Sequence, residues 1–166
     1  MGIEPSVVSL NCSGALRLSK VEEHMSELKA KTELLAAYRN TDFIVEAPGG
    51  DLIMRCDEND AAIDDLLRSM GKSECAFITA HNPGSQKLPD IENAHRHQML
   101  LCEVRGLGCP HLPGRGVGRD GNWEPEESLF IVGISRTQAQ KLGHAFGQIT
   151  IVVKRLGYPA ELVLCS

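Results

Sequence analysis

Three polar residues stand at helical spacing soon after a strand-like run: Glu92, Asn93 and Arg96 in "DIENAHR". Their i,i+3 and i,i+4 offsets put them at neighbouring positions on the first turns of one helix. Just before them, "AFITAHNPGSQ" passes from apolar residues into Asn82, Pro83, Gly84 and Ser85. A strand end with amide and hydroxyl groups, facing a helix N-terminus and a guanidinium, has the chemistry to receive a carboxylate or phosphate. In that arrangement Arg96 holds the anion, Asn82 and Ser85 orient the ligand, and Glu92 or Glu126 serves as general acid or base. The plainer expectation for Glu92 and Arg96 is a surface ion pair worth about 0.3 kcal/mol.

Other chemistry-bearing groups carry less. "GRGVGRDG" has the letters of a dinucleotide fingerprint in Gly116, Gly118 and Gly121, but that motif needs a helix directly after it, and "NWEPEESLFIVG" follows instead. Arg115 and Arg119 could still offer guanidinium forks to an anion. His81, His95, His97, His111 and His144 invite a zinc reading with Cys109 nearby, but His95 and His97 lie two apart on a helix and so project about 200° from one another, while Cys109 and His111 supply only two ligands. No metal site is expected. Asp57, Asn59, Asp60, Asp64 and Asp65 fail the calcium-loop pattern and fit a solvated helix face with acids near its N-terminus.

These groups sit in a chain of 166 residues with net charge −5 and seven aromatic residues among Trp, Tyr and Phe. That length suits one domain burying roughly 70% of its unfolded surface. No block of Lys or Arg has the density to grip a phosphate backbone, so nucleic acid is not an expected partner. No run approaches the roughly 18 apolar residues of a membrane span, and the N-terminus lacks a signal-peptide pattern. Six cysteines are scattered singly without a CxxC pair, which fits a reducing, cytoplasmic compartment. Nothing in these spacings names a cofactor or an oligomeric state.

The elements that must position the polar groups follow from periodicity. Residues 1–18 lack a sustained period and are expected to form a loosely ordered leader, with a single α+β domain over 19–166. Val21, Met25, Leu28, Leu34 and Leu35 recur at near-helical intervals from Ser19 to Tyr38. "TDFIVEAPGGDLIMRCD" has the form of a hairpin around Pro48-Gly49-Gly50, and Ile63, Leu66, Leu67 and Met70 share a face of a helix that Gly71 closes. A strand over 75–81 then leads to a helix with Asp90 as N-cap and Ala94, Leu101 and Val104 inward. "CPHLP" predicts a short strand before a glycine-rich connection, and "SLFIVG" a further strand. Ser135 and Gln138 form a capping box for a helix with Ala139, Leu142, Ala145 and Phe146 on its apolar side. "QITIVVK" and "ELVLC" complete the sheet. The order from Cys75 onward is the ferredoxin-like β-α-β-β-α-β arrangement, preceded by a helix-hairpin-helix addition and followed by one extra strand, on a mainly antiparallel sheet.

Together "LLAAYRNTDFIV", "AFITAHNPGSQKLPDIENAHR", "LPGRG", "GNWEPEESLFIVGIS", "AQKLGHAFGQITIVV" and "PAELVLC" resemble the domain-of-unknown-function family DUF3293, a group of small bacterial proteins. The resemblance runs from about Leu34 to Cys165. It implies that Thr79, Asn82, Pro83 and Ser85 belong with Glu92, Asn93 and Arg96, with Trp123, Glu126 and Ser128, and with Phe146, Gly147 and Gln148. If the first and third core strands are antiparallel neighbours, Asn82 and Ser85 approach Glu126 and Ser128.

Two functions are expected from these residues. The first is a polar pocket at the end of the strand 75–81, binding a small anionic or nucleotide-like metabolite through Asn82, Ser85, Asn93, Arg96, Ser128 and Gln148, with Glu92 and Glu126 as candidate catalytic groups. The alternative is a non-enzymatic protein-interaction or regulatory module, in which the same residues form a buried network that shapes loops. An open pocket favours the first and mutual packing the second.

Overall fold

A computed structural model describes the backbone of residues 12–165 and the side chains of residues 19–165. The chain divides into two compact units, Met1–Ala36 and Ala37–Ser166. The first is helical from Cys12, as part of α1 (Cys12–Arg39). The helix therefore includes residues 12–18, which the sequence assigns to a leader; residues 1–11 lie outside the described residues. Within this unit Thr32 Oγ1 donates to the Leu28 carbonyl at 2.8 Å and Lys29 lies 3.9 Å from Glu33.

The second unit is a seven-stranded antiparallel sheet with helices on both faces. The hairpin β1 (Thr41–Ala47) and β2 (Gly50–Met54) comes first, then α2 (Ala61–Ser69), β3 (Glu74–Thr79) and α3 (Asp90–Gly106). They are followed by β4 (His111–Gly118), β5 (Glu126–Val132), α4 (Arg136–Ala145), β6 (Thr150–Arg155) and β7 (Glu161–Leu164). The strand order is β2-β1-β4-β5-β3-β6-β7.

Alternation along the strands sends two sets of apolar side chains to opposite faces. Ala76, Ile78, Leu129, Ile131, Ile151 and Val153 pack with Leu100 and Val104 of α3 and Ala139 and Leu142 of α4. On the other face Phe43, Val45, Phe77, Phe130 and Val152 pack with Ile63 and Leu67 of α2. β3 and β5 are thus apolar on both faces, as central strands of a two-sided sheet must be.

Several local expectations are met in detail. Ser135 Oγ accepts from the Gln138 N–H while the Gln138 side chain returns to the Ser135 N–H, closing the capping box. Gly71 follows α2 at φ 64°, a left-handed stop that glycine adopts without strain.

Others are corrected. Pro89, not Asp90, is the N-cap of α3 and makes no side-chain cap. The inward stripe of α3 is Asn93, His97, Leu100 and Val104, while Ala94 is exposed. Ala145 of α4 is exposed as well. Asp64 does not lie on a solvated face: it is buried, 2.8 Å from the Lys154 ammonium. The glycine-rich stretch is not a connection, because β4 continues through Gly118 between β1 and β5. Close packing explains its glycines. A Cβ on Gly114 would lie 2.7 Å from both the Ile44 carbonyl oxygen and the Phe77 ring.

Candidate functional site

Antiparallel pairing sets Thr79, at the end of β3, opposite Ser128 near the start of β5. The pairing of β3 with β6 brings the start of β6 to the same rim. Asn82, Glu126 and Gln148 therefore converge because three strand ends do.

Asn82 is the centre of the rim. Its backbone is left-handed, at φ 47° and ψ 59°, a conformation asparagine tolerates better than most residues. Its N–H donates to Asn93 Oδ1 at 3.0 Å, and its Oδ1 accepts from Asn93 Nδ2 and from the Leu88 N–H, both at 2.9 Å. Its Nδ2 donates to Glu126 Oε1 at 2.6 Å. Asn93, buried on α3, thereby clasps the loop as a strand partner would, and its Nδ2 also reaches the Leu88 carbonyl at 3.3 Å.

Arg96 lies one turn further along α3. Its Nε donates to the Ala80 carbonyl at 2.7 Å, and its Nη2 donates to the Phe146 carbonyl at the end of α4. One guanidinium thus ties α3 to β3 and to α4 through carbonyls that these elements leave free. The 82–85 turn is tied to α4 a second time by the Gly84 N–H, which donates to the Gly147 carbonyl at 2.8 Å. Gly147 has φ 72°, and a Cβ there would sit 2.8 Å from Pro83 Cβ. Gln148, buried, donates from Nε2 to the His81 carbonyl at 2.9 Å.

The remaining rim residues differ in role. Ser128 is buried and donates to the Glu126 carbonyl at 3.1 Å. Thr79 Oγ1 donates to the Glu127 carbonyl at 2.7 Å and accepts from the His81 N–H at 3.0 Å, linking β3 to β5 beyond the ladder. Ser85 and Glu92 are exposed, and neither side chain has a hydrogen bond or ion pair. Glu92 does not pair with Arg96, whose fork is turned to backbone carbonyls. Arg115 lies between Glu46 and Asp51, at 2.6 and 2.7 Å, and Arg119 Nη2 donates to the Arg39 carbonyl at 2.8 Å. Both are thus engaged on the β1–β2 side.

Burial pushes the Glu126 carboxyl above its usual range, with hydrogen bonds from Asn82 and Trp123 acting in the opposite direction. Tyr38 is raised by burial too, and the Glu126 charge adds to the effect. His81 is lowered, first by burial and then by His97, with which its ring makes an edge contact at 6.2 Å between centroids. Two surface depressions of about 420 and 200 Å³ lie at the opposite end of the sheet, lined among others by Lys72, Glu74 and Gly133 and by Lys154, Arg155 and Tyr158. Neither is lined by a rim residue.

Glu127 escapes the sequence reasoning, and His97 enters it only as a metal ligand rejected with His95, its burial on the inward face of α3 unforeseen. A legible signal existed for His97, because positions 93, 97, 100 and 104 form one helical stripe headed by the residue already singled out. Glu127 gives none: it projects from β5 on the opposite side from Glu126 and Ser128, the face on which α3 lies.

An antiparallel α/β protein whose strand-end loops are clasped by a buried amide, carboxylate and guanidinium network is the class these features define. The family model described as "Protein of unknown function (DUF3293)" matches residues 78–151, a segment that includes every member of the rim network. No curated protein and no solved structure matches the chain. Among the described residues no helix is long and apolar enough to cross a membrane.

Proposed function

We propose that the chain is a non-enzymatic interaction or regulatory module in which the buried rim network shapes loops for a protein partner. The observation that carries this reading is that Asn82, Asn93 and Arg96 direct their polar groups to one another, to Glu126 and to backbone carbonyls. The loops they hold carry the exposed Trp123, 48% accessible, and the Lys87–Glu124 ion pair at 2.7 Å between the 82–89 and 119–125 segments. Ile91, at the start of α3, is 80% accessible. An exposed tryptophan on a loop held by the network, together with an exposed aliphatic at the start of α3, has the chemistry of an interaction hot spot.

A second reading is favoured by Glu126: a half-buried carboxyl with a raised pKa is suited to act as a general acid, on a small anionic or nucleotide-like metabolite. Thermal unfolding of the wild type, Asn82→Ala and Arg96→Ala against nucleotides, sugar phosphates and small carboxylates separates the two. The module reading expects both variants to unfold at lower temperature, Asn82→Ala by about 2–4 kcal/mol through lost partners and left-handed strain, and no compound to shift the wild-type midpoint. A compound that raises the midpoint only when Arg96 is present overturns the module reading in favour of the metabolite.

The run from β3 to β6 supports a ferredoxin-like core: its elements follow β-α-β-β-α-β order and its strands lie as β4-β5-β3-β6. The hairpin, α2 and β7 are then additions to it. The unpaired thiols of Cys56, Cys75, Cys102, Cys109 and Cys165 support a reducing, cytoplasmic location.

A further inference from the structure

On the sheet face covered by α3, beside the rim network, His81, His97 and Glu127 each offer a ligand atom within 4.8 Å of the other two. His81 Nε2 lies 4.0 Å from Glu127 Oε2. His81 Nε2 and His97 Nδ1 are both shut off from solvent with no hydrogen-bond partner, and His97 is only 6% accessible. Buried polar atoms are nearly always satisfied, so two unpaired imidazole nitrogens in a rim otherwise dense with hydrogen bonds call for a group that accepts their lone pairs. Neutral imidazoles beside a carboxylate are the donor set for a divalent transition-metal ion.

We propose that His81, His97 and Glu127 form a three-ligand site for a divalent transition-metal ion, with Zn²⁺ the best fit to two nitrogens and one oxygen. Ligand atoms around tetrahedral zinc are about 3.4 Å apart, so modest side-chain rotation closes the set from its present spacing. The ligands come from three elements that the network already holds. The His81 peptide is fixed at both ends, by Thr79 Oγ1 on its N–H and Gln148 Nε2 on its carbonyl. The same Thr79 hydroxyl donates to the Glu127 carbonyl, and Asn93 and Arg96 anchor the turn of α3 that carries His97. Hydrogen bonds that orient the backbone of ligand residues are what a precise metal site needs. The Glu127 side chain is 64% accessible, which gives the ion an entry path and leaves a coordination position facing water. The site stands apart from the interaction reading, since an ion bound here ties β3, α3 and β5 together with or without a partner.

The test uses the full chain, stripped with chelator and titrated with Zn²⁺ by calorimetry and with Co²⁺ by visible absorption. One equivalent of Zn²⁺ is expected to bind and raise the unfolding midpoint, and Co²⁺ is expected to give the intense visible bands of four-coordinate geometry. His97→Gln is expected to weaken Zn²⁺ at least 100-fold and Glu127→Gln at least 10-fold, while Glu124→Gln binds as the wild type does. Because the exposed Glu127 side chain is not part of the core, Glu127→Gln decides the matter if His97→Gln fails to fold. Absence of stoichiometric Zn²⁺ and Co²⁺ binding, or affinity unchanged in Glu127→Gln, overturns the site. Neither result bears on whether a metabolite or a partner docks at the rim, which the midpoints of the Arg96 variant report.

Discussion

At the scale of single residues, the largest electrostatic commitment lies away from the rim, where Lys154 of β6 meets Asp64 of α2. The ammonium also donates to Asn59 Oδ1 at 2.9 Å and to the Tyr158 carbonyl at 2.6 Å, and the Gly157 N–H is shared between both Asp64 oxygens. Burial pushes the Asp64 carboxyl up, but Lys154, the Gly157 N–H and Arg68 outweigh it and hold the group below its ordinary value. A carboxyl depressed in the folded state adds stability that is complete above its unfolded pKa, near 4, and is lost as pH falls through the folded value. Lys154→Met leaves a buried, unpaired charge and is expected to cost about 3–5 kcal/mol at pH 7. Urea unfolding at pH 7, 5 and 3 checks this: the penalty should narrow as pH falls below about 4, where the wild type begins to lose the stabilisation the pair supplies, and adding Asp64→Asn should recover much of it at pH 7. An equal penalty at all three pH values would mean that packing of the lysine stem, not charge, is what the substitution removes.

At the scale of elements, β4 shows how local composition misleads. Four glycines and two arginines from Gly114 to Gly121 have the look of a connection, and nothing within that run signals that the strand begun at His111 continues into it between β1 and β5. The reason lies across the sheet. Val45 pairs with Gly114, and the Phe77 ring lies where a side chain at 114 would go, stacked edge-on to Phe43 at 5.2 Å. Gly114→Ala should therefore overpack a backbone carbonyl and an aromatic ring at once, costing about 1–3 kcal/mol. At Gly116 the nearest atoms to a new Cβ are 3.6–4.0 Å away, an ordinary contact, so Gly116→Ala should be close to neutral. Chemical denaturation of the two variants measures the difference, and equal losses would refute the packing account. The other elements were legible where a pattern is local: the capping box at Ser135, the hairpin, and the stop at Gly71. In α3 it was not, because the helix buries Asn93 and His97 in place of apolar residues, so a hydrophobic period picks the wrong stripe. Part of the rim was legible from the residues alone, in the spacing of Asn93 and Arg96 and the turn at Asn82, while Glu126, Ser128 and Gln148 joined it only through the family resemblance. Its bonding was not, since the carbonyls that occupy Arg96 belong to strand and helix ends distant in sequence.

At the scale of the whole molecule, the two-sided sheet puts the cysteines in different classes of environment. Cys56, Cys75 and Cys165 are buried in the two apolar layers, Cys109 is half-buried, and Cys102 is exposed on α3. Burial raises the thiols of Cys56 and Cys75 to about 12 and that of Cys165 to about 11. At pH 8 a thiol of pKa 12 is ionised to about one part in ten thousand, and the thiolate is the reactive form. Two barriers, access and ionisation, thus protect the same three residues. Among the five cysteines of the described residues, alkylation of the native chain at pH 8, followed by peptide mapping, should modify Cys102 first and Cys109 more slowly. Cys75 and Val132 are neighbours in the central β3–β5 ladder, and Cys165 packs on Gly143 of α4, so exposing either thiol means separating sheet from helix. Cys56, Cys75 and Cys165 should therefore be labelled together, at the rate of global unfolding. Early labelling of Cys165 alone would show instead that β7 and the end of α4 open as a separate unit, and the rim held by Phe146, Gly147 and Gln148 would then be the mobile part of the fold rather than its clasp.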